Sequence, residues 1–421
     1  MNERESYLHS TRIKMRIPKI WLNLSIFNLC IVALLGFLLR SKQLFEMQFI
    51  DYNHLVDAHG RFAFGAWVTL TLFSLLIYEV LPEAISKKRI YSWLLAGIFI
   101  FSWAALISMS ILGGNSMLSN IFATLFIFVC YILSGVFIRD ILQTSVHKTV
   151  MMLSISAVVF LIMSSGATFS FVILFYLKSL NAIYYRDALF TYLHMQYNGF
   201  FTLAVFALLF HKLLPKVSDN ANRQIFRFSV LIICSIIPSL FLSYLWSDPP
   251  QIFWILAGIG SLFVFLTFIS FVILSLSVRH VIHLVSPIVR YFGILSMCAF
   301  GIKEFLQGFT IFPIINNAVF ASRPTIIGFL HLVFLGFATH FILGWYYNRE
   351  VFGPPNKNAI IALVFFSIGV VMNEVILMIQ GLGSMFIIGY SIFAWFLWAA
   401  SIWMLVGTLM IGFSRIAAKK V

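Results

Sequence analysis

Twelve stretches of about twenty consecutive apolar residues constrain this chain more than any motif in it. They lie at 19–39, 59–81, 90–112, 118–138, 149–177, 192–214, 226–246, 252–276, 288–311, 325–347, 357–381 and 384–413. A run of that length crosses the hydrocarbon core of a bilayer as a helix. It is too long for a barrel strand, and nothing but a helix or a closed barrel satisfies the backbone in lipid. The sequence therefore predicts an all-α, polytopic membrane helix bundle of about twelve transmembrane helices over residues 19–413. A hydrophilic tail (1–18) precedes it and a short basic tail (414–421) follows. The composition is 61% hydrophobic and 10% charged, whereas a soluble domain carries roughly 25% charge. No internal repeat is evident in the sequence.

The net charge of +14 does not point to nucleic acid, because the positive residues are dispersed over short loops. Of the 28 lysines and arginines, 21 fall in the segments on one side and 6 on the other, with Lys303 inside the ninth run. Such asymmetry orients a chain with its basic loops inward, so both termini are expected to be cytoplasmic. Residues 1–18 are basic and the first apolar run is long enough to remain as a helix, so no cleaved signal is expected. The four cysteines all fall in apolar runs and there is no C-x-x-C-H. Covalent c-type haem attachment is thereby excluded, and a disulfide framework is not expected.

Three helix mouths are polar. They read Asp57-Ala58-His59-Gly60-Arg61-Phe62-Ala63-Phe64-Gly65, Tyr192-Leu193-His194-Met195-Gln196-Tyr197-Asn198-Gly199, and Gly328-Phe329-Leu330-His331. On the expected orientation, His59, His194 and His331 all lie toward the outer face, on the second, sixth and tenth helices. Polar groups at membrane depth are costly and usually functional. Imidazole is a ligand for haem iron, copper and zinc, and two histidines from separate helices can clamp a haem. His59, Ala63 and Ala66 share a helix face, with Gly60 and Gly65 beside them and Gly328 one turn before His331. Arg61 and Arg323 stand at the rim, where guanidinium groups can pair with propionates. Asn198, one turn from His194, is placed to orient that imidazole or a ligand. The alternative is that these histidines are interhelical hydrogen-bonders, and the residues alone leave both readings in play.

Other polar residues have simpler expectations. His147, His211, His280 and His283 sit beside basic residues at the inner surface, and His340 lies on the face opposite His331. Lys303 and Glu304 in the ninth helix and Glu374 in the eleventh are intramembrane charges; Lys303 and Glu374 fall at similar depth and are expected to pair. The functional alternative for them is a proton or ion path. Glu79 is expected to pair with Lys87, Lys88 or Arg89. Trp67, Trp93, Trp246 and Trp345 include interfacial anchors.

This plan resembles the catalytic subunit of the haem–copper oxidases, most clearly its cbb-type branch. Phe62-Ala63-Phe64-Gly65 after His59, Gly199-Phe200-Phe201 after His194, and His331 before a glycine-containing run are similar to that branch's helices two, six and ten. NnrS-type membrane proteins are similar in general plan. The sequence departs from the oxidases at two places. Residues 226–246 lack the adjacent copper-binding histidines, and Phe329 stands where the first histidine of H-x-H would be. By resemblance, His59 and His331 match the axial ligands of a non-covalent, b-type, electron-transfer haem, and His194 matches one copper ligand without its partners. The implied function is a bacterial inner-membrane haem protein. It would act in electron transfer with a quinol or cytochrome partner, or in chemistry of a diatomic gas such as nitric oxide or oxygen, rather than as a complete oxygen reductase. An oxidoreductase activity is left open. The alternatives are a metal-free proton-coupled transporter and a non-catalytic partner in a respiratory complex.

Overall fold

The computed structural model describes residues 16–353, 356–383 and 391–417. The rest of the two expected tails, residues 1–15 and 418–421, and the start of the expected twelfth run, 384–390, lie outside the described residues. The described chain is helical, with no strand. Eight consecutive helices are long and apolar enough to cross a membrane: α1 (Lys19–Leu44), α2 (Tyr52–Val80), α3 (Arg89–Leu112), α4 (Met117–Leu142), α5 (Lys148–Leu174), α6 (Ala182–Lys216), α7 (Asp219–Ser247) and α8 (Gln251–Ile282). Next, α9 (Pro287–Phe309) meets the same test together with a short arm, Pro313–Ala321, to which it is bent by 116°. Then come α10 (Arg323–Asn348), α11 (Lys357–Gly381) and α12 (Ser391–Ala417). The molecule is thus a polytopic helix bundle with eleven spans among the described residues, or twelve if the bent pair is one span.

Two helices begin well before their apolar runs. α2 starts at Tyr52, where Asp51 caps it by accepting from His54 N at 2.9 Å. α6 starts at Ala182, where the Asn181 side chain accepts from Ile183 N at 2.9 Å. Side-chain caps satisfy the orphan amides of a first turn, so polar residues extend these helices beyond the apolar stretch. His59 and His194, expected near helix mouths, consequently lie inside them.

The bundle is arranged around α2, α6 and α10. In their apolar windows 100%, 72% and 56% of residues are buried, against 28–50% in the other spans. The remaining helices surround them, consecutive ones packing on each other, with α12 returning onto α1. The central helices are four apart in chain order, the same second, sixth and tenth helices whose polar mouths carry the three expected histidines.

Each central helix loosens into a π-helical segment just past its histidine: Ala63–Thr69, Met195–Phe201 and Leu332–Thr339. π segments waste backbone hydrogen bonds and persist where something compensates. Here side chains supply donors to carbonyls within them. Asn28 Nδ2 donates to Ala66 O at 2.7 Å, Thr202 Oγ1 to Tyr197 O at 2.6 Å, and Ser296 Oγ to Phe337 O at 2.8 Å. His340 Nδ1 donates to Leu335 O at 2.8 Å. Each segment also contains one glycine that admits a neighbouring helix. A Cβ on Gly65 or Gly336 would lie 3.1 Å from Ser102 Oγ or Ala299 Cβ, and one on Gly199 would collide with Phe160 Cβ. One phenylalanine from each segment completes the centre. Phe64, Phe201 and Phe334 form a triangle with centroids 4.7–5.4 Å apart.

The three helices are tied again at their far ends. Arg349, just past α10, binds the buried Glu79 carboxylate of α2, and Lys212 of α6 stands 3.8 Å from the same oxygen. This corrects the expected local pairing of Glu79. Lys87 binds Glu83 instead, and Lys88 binds Asp140 at 2.9 Å. Trp67, expected among candidates for the interface, is fully buried and donates from Nε1 to Thr339 Oγ1 at 3.0 Å, linking α2 to α10.

Two substitutions test these supports. Glu79→Ala removes the buried carboxylate that Arg349 and Lys212 both approach and is expected to cost about 3–5 kcal/mol, read as a lower unfolding midpoint in detergent. Glu83→Ala, on an exposed pair, should leave the midpoint nearly unchanged. Gly199→Ala must displace the Phe160 side chain and is expected to cost about 1–3 kcal/mol. Gly60→Ala, whose Cβ would meet nothing within 4 Å, should be tolerated in the same assay.

Candidate functional site

Two of the three expected histidines share a compartment. His59 is seven residues into α2 and His331 eight into α10, depths of about 10 and 12 Å at 1.5 Å per residue. They lie within electrostatic reach of one another. The His59 ring rests against Gly36 of α1, where a Cβ would sit 3.5 Å from its Cε1. Its Nδ1 is buried with no hydrogen-bond partner. His331 Nδ1 lies 2.8 Å from Ile327 O, one turn earlier on its own helix. A carbonyl only accepts, so Nδ1 carries the proton and Nε2 of the neutral ring keeps its lone pair. The fold therefore orients both imidazoles while leaving a ring nitrogen of each unused by the helices.

The rim of this compartment differs from expectation. Arg61 lies two residues beyond His59, about 200° round the helix, and its electrostatic neighbours are Asp57 and Tyr192. It faces away from the pair. Arg40 of α1 takes its place, within reach of both His59 and His331. Arg40 also neighbours Tyr52, Arg323 and Glu374, and donates to Gln43 Oε1 at 3.4 Å. Arg323 lies over the Tyr52 ring at 5.7 Å. Two guanidinium groups therefore converge where one imidazole pair sits. Glu374 accepts from Asn373 Nδ2 at 3.1 Å and belongs to this compartment.

His194 belongs to a second compartment, between α6, α7 and α9. It is fully buried and both ring nitrogens are used. Asn198 Nδ2 donates to Nδ1 at 3.0 Å, and Nε2 donates to Ile236 O at 2.8 Å, with Ser239 Oγ at 3.4 Å. Asn198 does orient this imidazole. Lys303 binds its neighbour Glu304 at 2.6 Å, both side chains almost completely buried. The expected Lys303–Glu374 pair is not formed, because Glu374 faces the other compartment. Lys303, Glu304, Asn198, Ser239 and Gln307 line a cavity of ≈ 10 Å³, on the order of one water molecule. Asn198 Oδ1 and Gln307 Oε1 are buried there without partners, which is what an internal water would satisfy.

The donor chemistry of the two compartments differs. Among the described residues no three His, Cys, Asp or Glu side chains converge as a metal-binding group. A lone ion such as copper wants such a set, and His194 has no nitrogen to spare. The His59–His331 pair suits a metal that brings most of its own ligands. Other histidines among the described residues are structural or peripheral. His340 bridges Leu335 O and Ser367 Oγ, the latter at 2.8 Å, while His147, His280 and His283 are exposed and His211 is half-buried. Comparison with family models and with curated proteins finds no match for the chain.

Asn198→Ala removes the donor to His194 Nδ1 and leaves a buried acceptor unpaired. The expected loss is about 1–3 kcal/mol, measured by denaturant unfolding of the purified protein, with little change at the His59–His331 compartment.

Proposed function

We propose that the chain is an integral membrane haem protein in which His59 and His331 hold one non-covalent, b-type haem. The observation that carries this reading is the half-buried imidazole pair from α2 and α10, each ring keeping a nitrogen that no hydrogen bond of the fold consumes. A haem brings four of the iron's ligands itself, so two imidazoles complete its coordination. Gly36 offers a smooth wall beside His59. Arg40 and Arg323 supply charge-assisted donors for propionate carboxylates, with Glu374 and Gln43 positioning Arg40. Bound there, a haem would supply one-electron transfer or binding of a diatomic gas.

The chain's own residues do the rest. The Trp67–Thr339 hydrogen bond and the π segments hold α2 and α10 in one register. The Phe64–Phe201–Phe334 triangle closes the compartment below the histidines and keeps water from passing along the axis. With His194 committed to hydrogen bonds and no histidine in α7, the reading is electron transfer with a quinol or cytochrome, or handling of a diatomic gas, rather than complete oxygen reduction. No copper is assigned to His194. The basic-loop asymmetry and the resemblance to the oxidases support a bacterial cytoplasmic membrane with both termini on its inner side.

A second reading is favoured by one observation, the buried Lys303–Glu304 pair on a polar cavity. Such pairs mark proton paths, and a metal-free proton-coupled transporter would use this one.

The test is a reduced-minus-oxidised absorption spectrum of the purified protein. A Soret band and sharp reduced bands are expected in the wild type, lost in His59→Ala and in His331→Ala, and retained in His194→Gln. Bands that survive both alanine changes, or a colourless protein even when expressed with added haem, would overturn the assignment and favour transport.

A further inference from the structure

A cleft of ≈ 1000 Å³ opens at the basic-loop end, between the α4–α5 connection and the first turns of α7. His147 and Lys148 form one wall, and Arg223 and Arg227 the other. The two arginines are one turn apart and share a helix face, a like-charge arrangement that destabilises an isolated helix. Nearby cations at this end are neutralised: Lys87 by Glu83, and Lys88 and Arg139 by Asp140. Lys148, Arg223 and Arg227 have no acidic partner within 4 Å among the described residues. Thr149 N donates to His147 Nδ1 at 3.2 Å, so the neutral ring carries its proton on the exposed Nε2 and presents a further donor. The same cleft has an apolar wall, Met151 and the half-exposed Phe226. It sits where the apolar runs of α5 and α7 begin.

We propose that this cleft binds the headgroup of an anionic phospholipid. The cations and the imidazole N–H take the phosphate, as basic pockets between membrane helices do. Met151 and Phe226 take the start of the acyl chains. A free phosphate would use the cations and leave the apolar wall bare, which is why the lipid is the occupant favoured here. The site is separate from the histidine compartments and does not rest on the haem assignment.

The experiment titrates the full-length protein in neutral detergent with dioctanoyl phosphatidylglycerol, dioctanoyl phosphatidylcholine and inorganic phosphate. Saturable binding of the phosphatidylglycerol is expected, roughly tenfold or more weaker in the Arg223→Gln/Arg227→Gln variant. Lys148→Gln on the opposite wall should weaken it several-fold and serves where the double variant folds poorly. Arg279→Gln, an exposed cation elsewhere at this end, should leave it unchanged. Millimolar phosphate should not displace the lipid. Equal binding of phosphatidylcholine, undiminished binding in the cleft variants, or equal weakening by Arg279→Gln would overturn the proposal. So would displacement by phosphate, which would mark the cleft as a site for a soluble anion.

Discussion

A single buried carboxylate ties the bundle's axis together. Glu79 lies where an unpaired charge would cost several kcal/mol, so its counter-charges must come to it. They arrive from Lys212 on α6 and from Arg349, just past the end of α10. That requirement fixes the ends of α2, α6 and α10 relative to one another. The phenylalanine triangle fixes their middles, and Trp67–Thr339 pins α2 to α10 once more. With one end and the middle set, the histidine-bearing ends have little freedom left, and the imidazoles are placed by the same contacts that hold the bundle.

Those contacts also divide the interior into compartments with different chemistry. Because the π segments free backbone carbonyls, side chains such as Asn28, Thr202 and His340 are spent on satisfying them. His340 thereby becomes structural, while His331, nine residues earlier, keeps a ring nitrogen available. His194 shows the opposite balance: Asn198 and Ile236 O consume both its nitrogens. His194 is fully buried while His59 and His331 are half-buried, but burial does not itself set which ring nitrogens are free. What distinguishes them is which polar partners their neighbours provide, and that points to His59 and His331 as the pair with ligand capacity.

Much of the fold was legible in the sequence, because the length of an apolar run is a local property set by bilayer thickness. The apolar runs and the helical class follow from it, while the polar mouths at His59, His194 and His331 marked the second, sixth and tenth helices. The starts of α2 and α6 were not legible, since Asp51 and Asn181 cap helices whose first turns are polar and carry no apolar signal. The partners of Glu79 were missed for another reason. Arg349 is 270 residues away, and proximity in sequence favoured Lys87, Lys88 or Arg89, of which Lys87 and Lys88 are drawn off by Glu83 and Asp140. Arg40 escaped notice because it lies at the end of α1, far in sequence from either histidine. The adjacency of Lys303 and Glu304 was a usable signal that these two charges satisfy each other without Glu374.

The account's central claim is that two imidazoles and one haem form the site. The most direct measurement is haem and metal content per chain, by pyridine haemochrome and elemental analysis, with an electron paramagnetic resonance spectrum of the oxidised protein on the same sample. The account predicts about one extractable b-type haem per chain, no stoichiometric copper, and a low-spin ferric signal of the bis-imidazole kind. A chain without iron, or a haem that is high-spin with copper at equal stoichiometry, would contradict it.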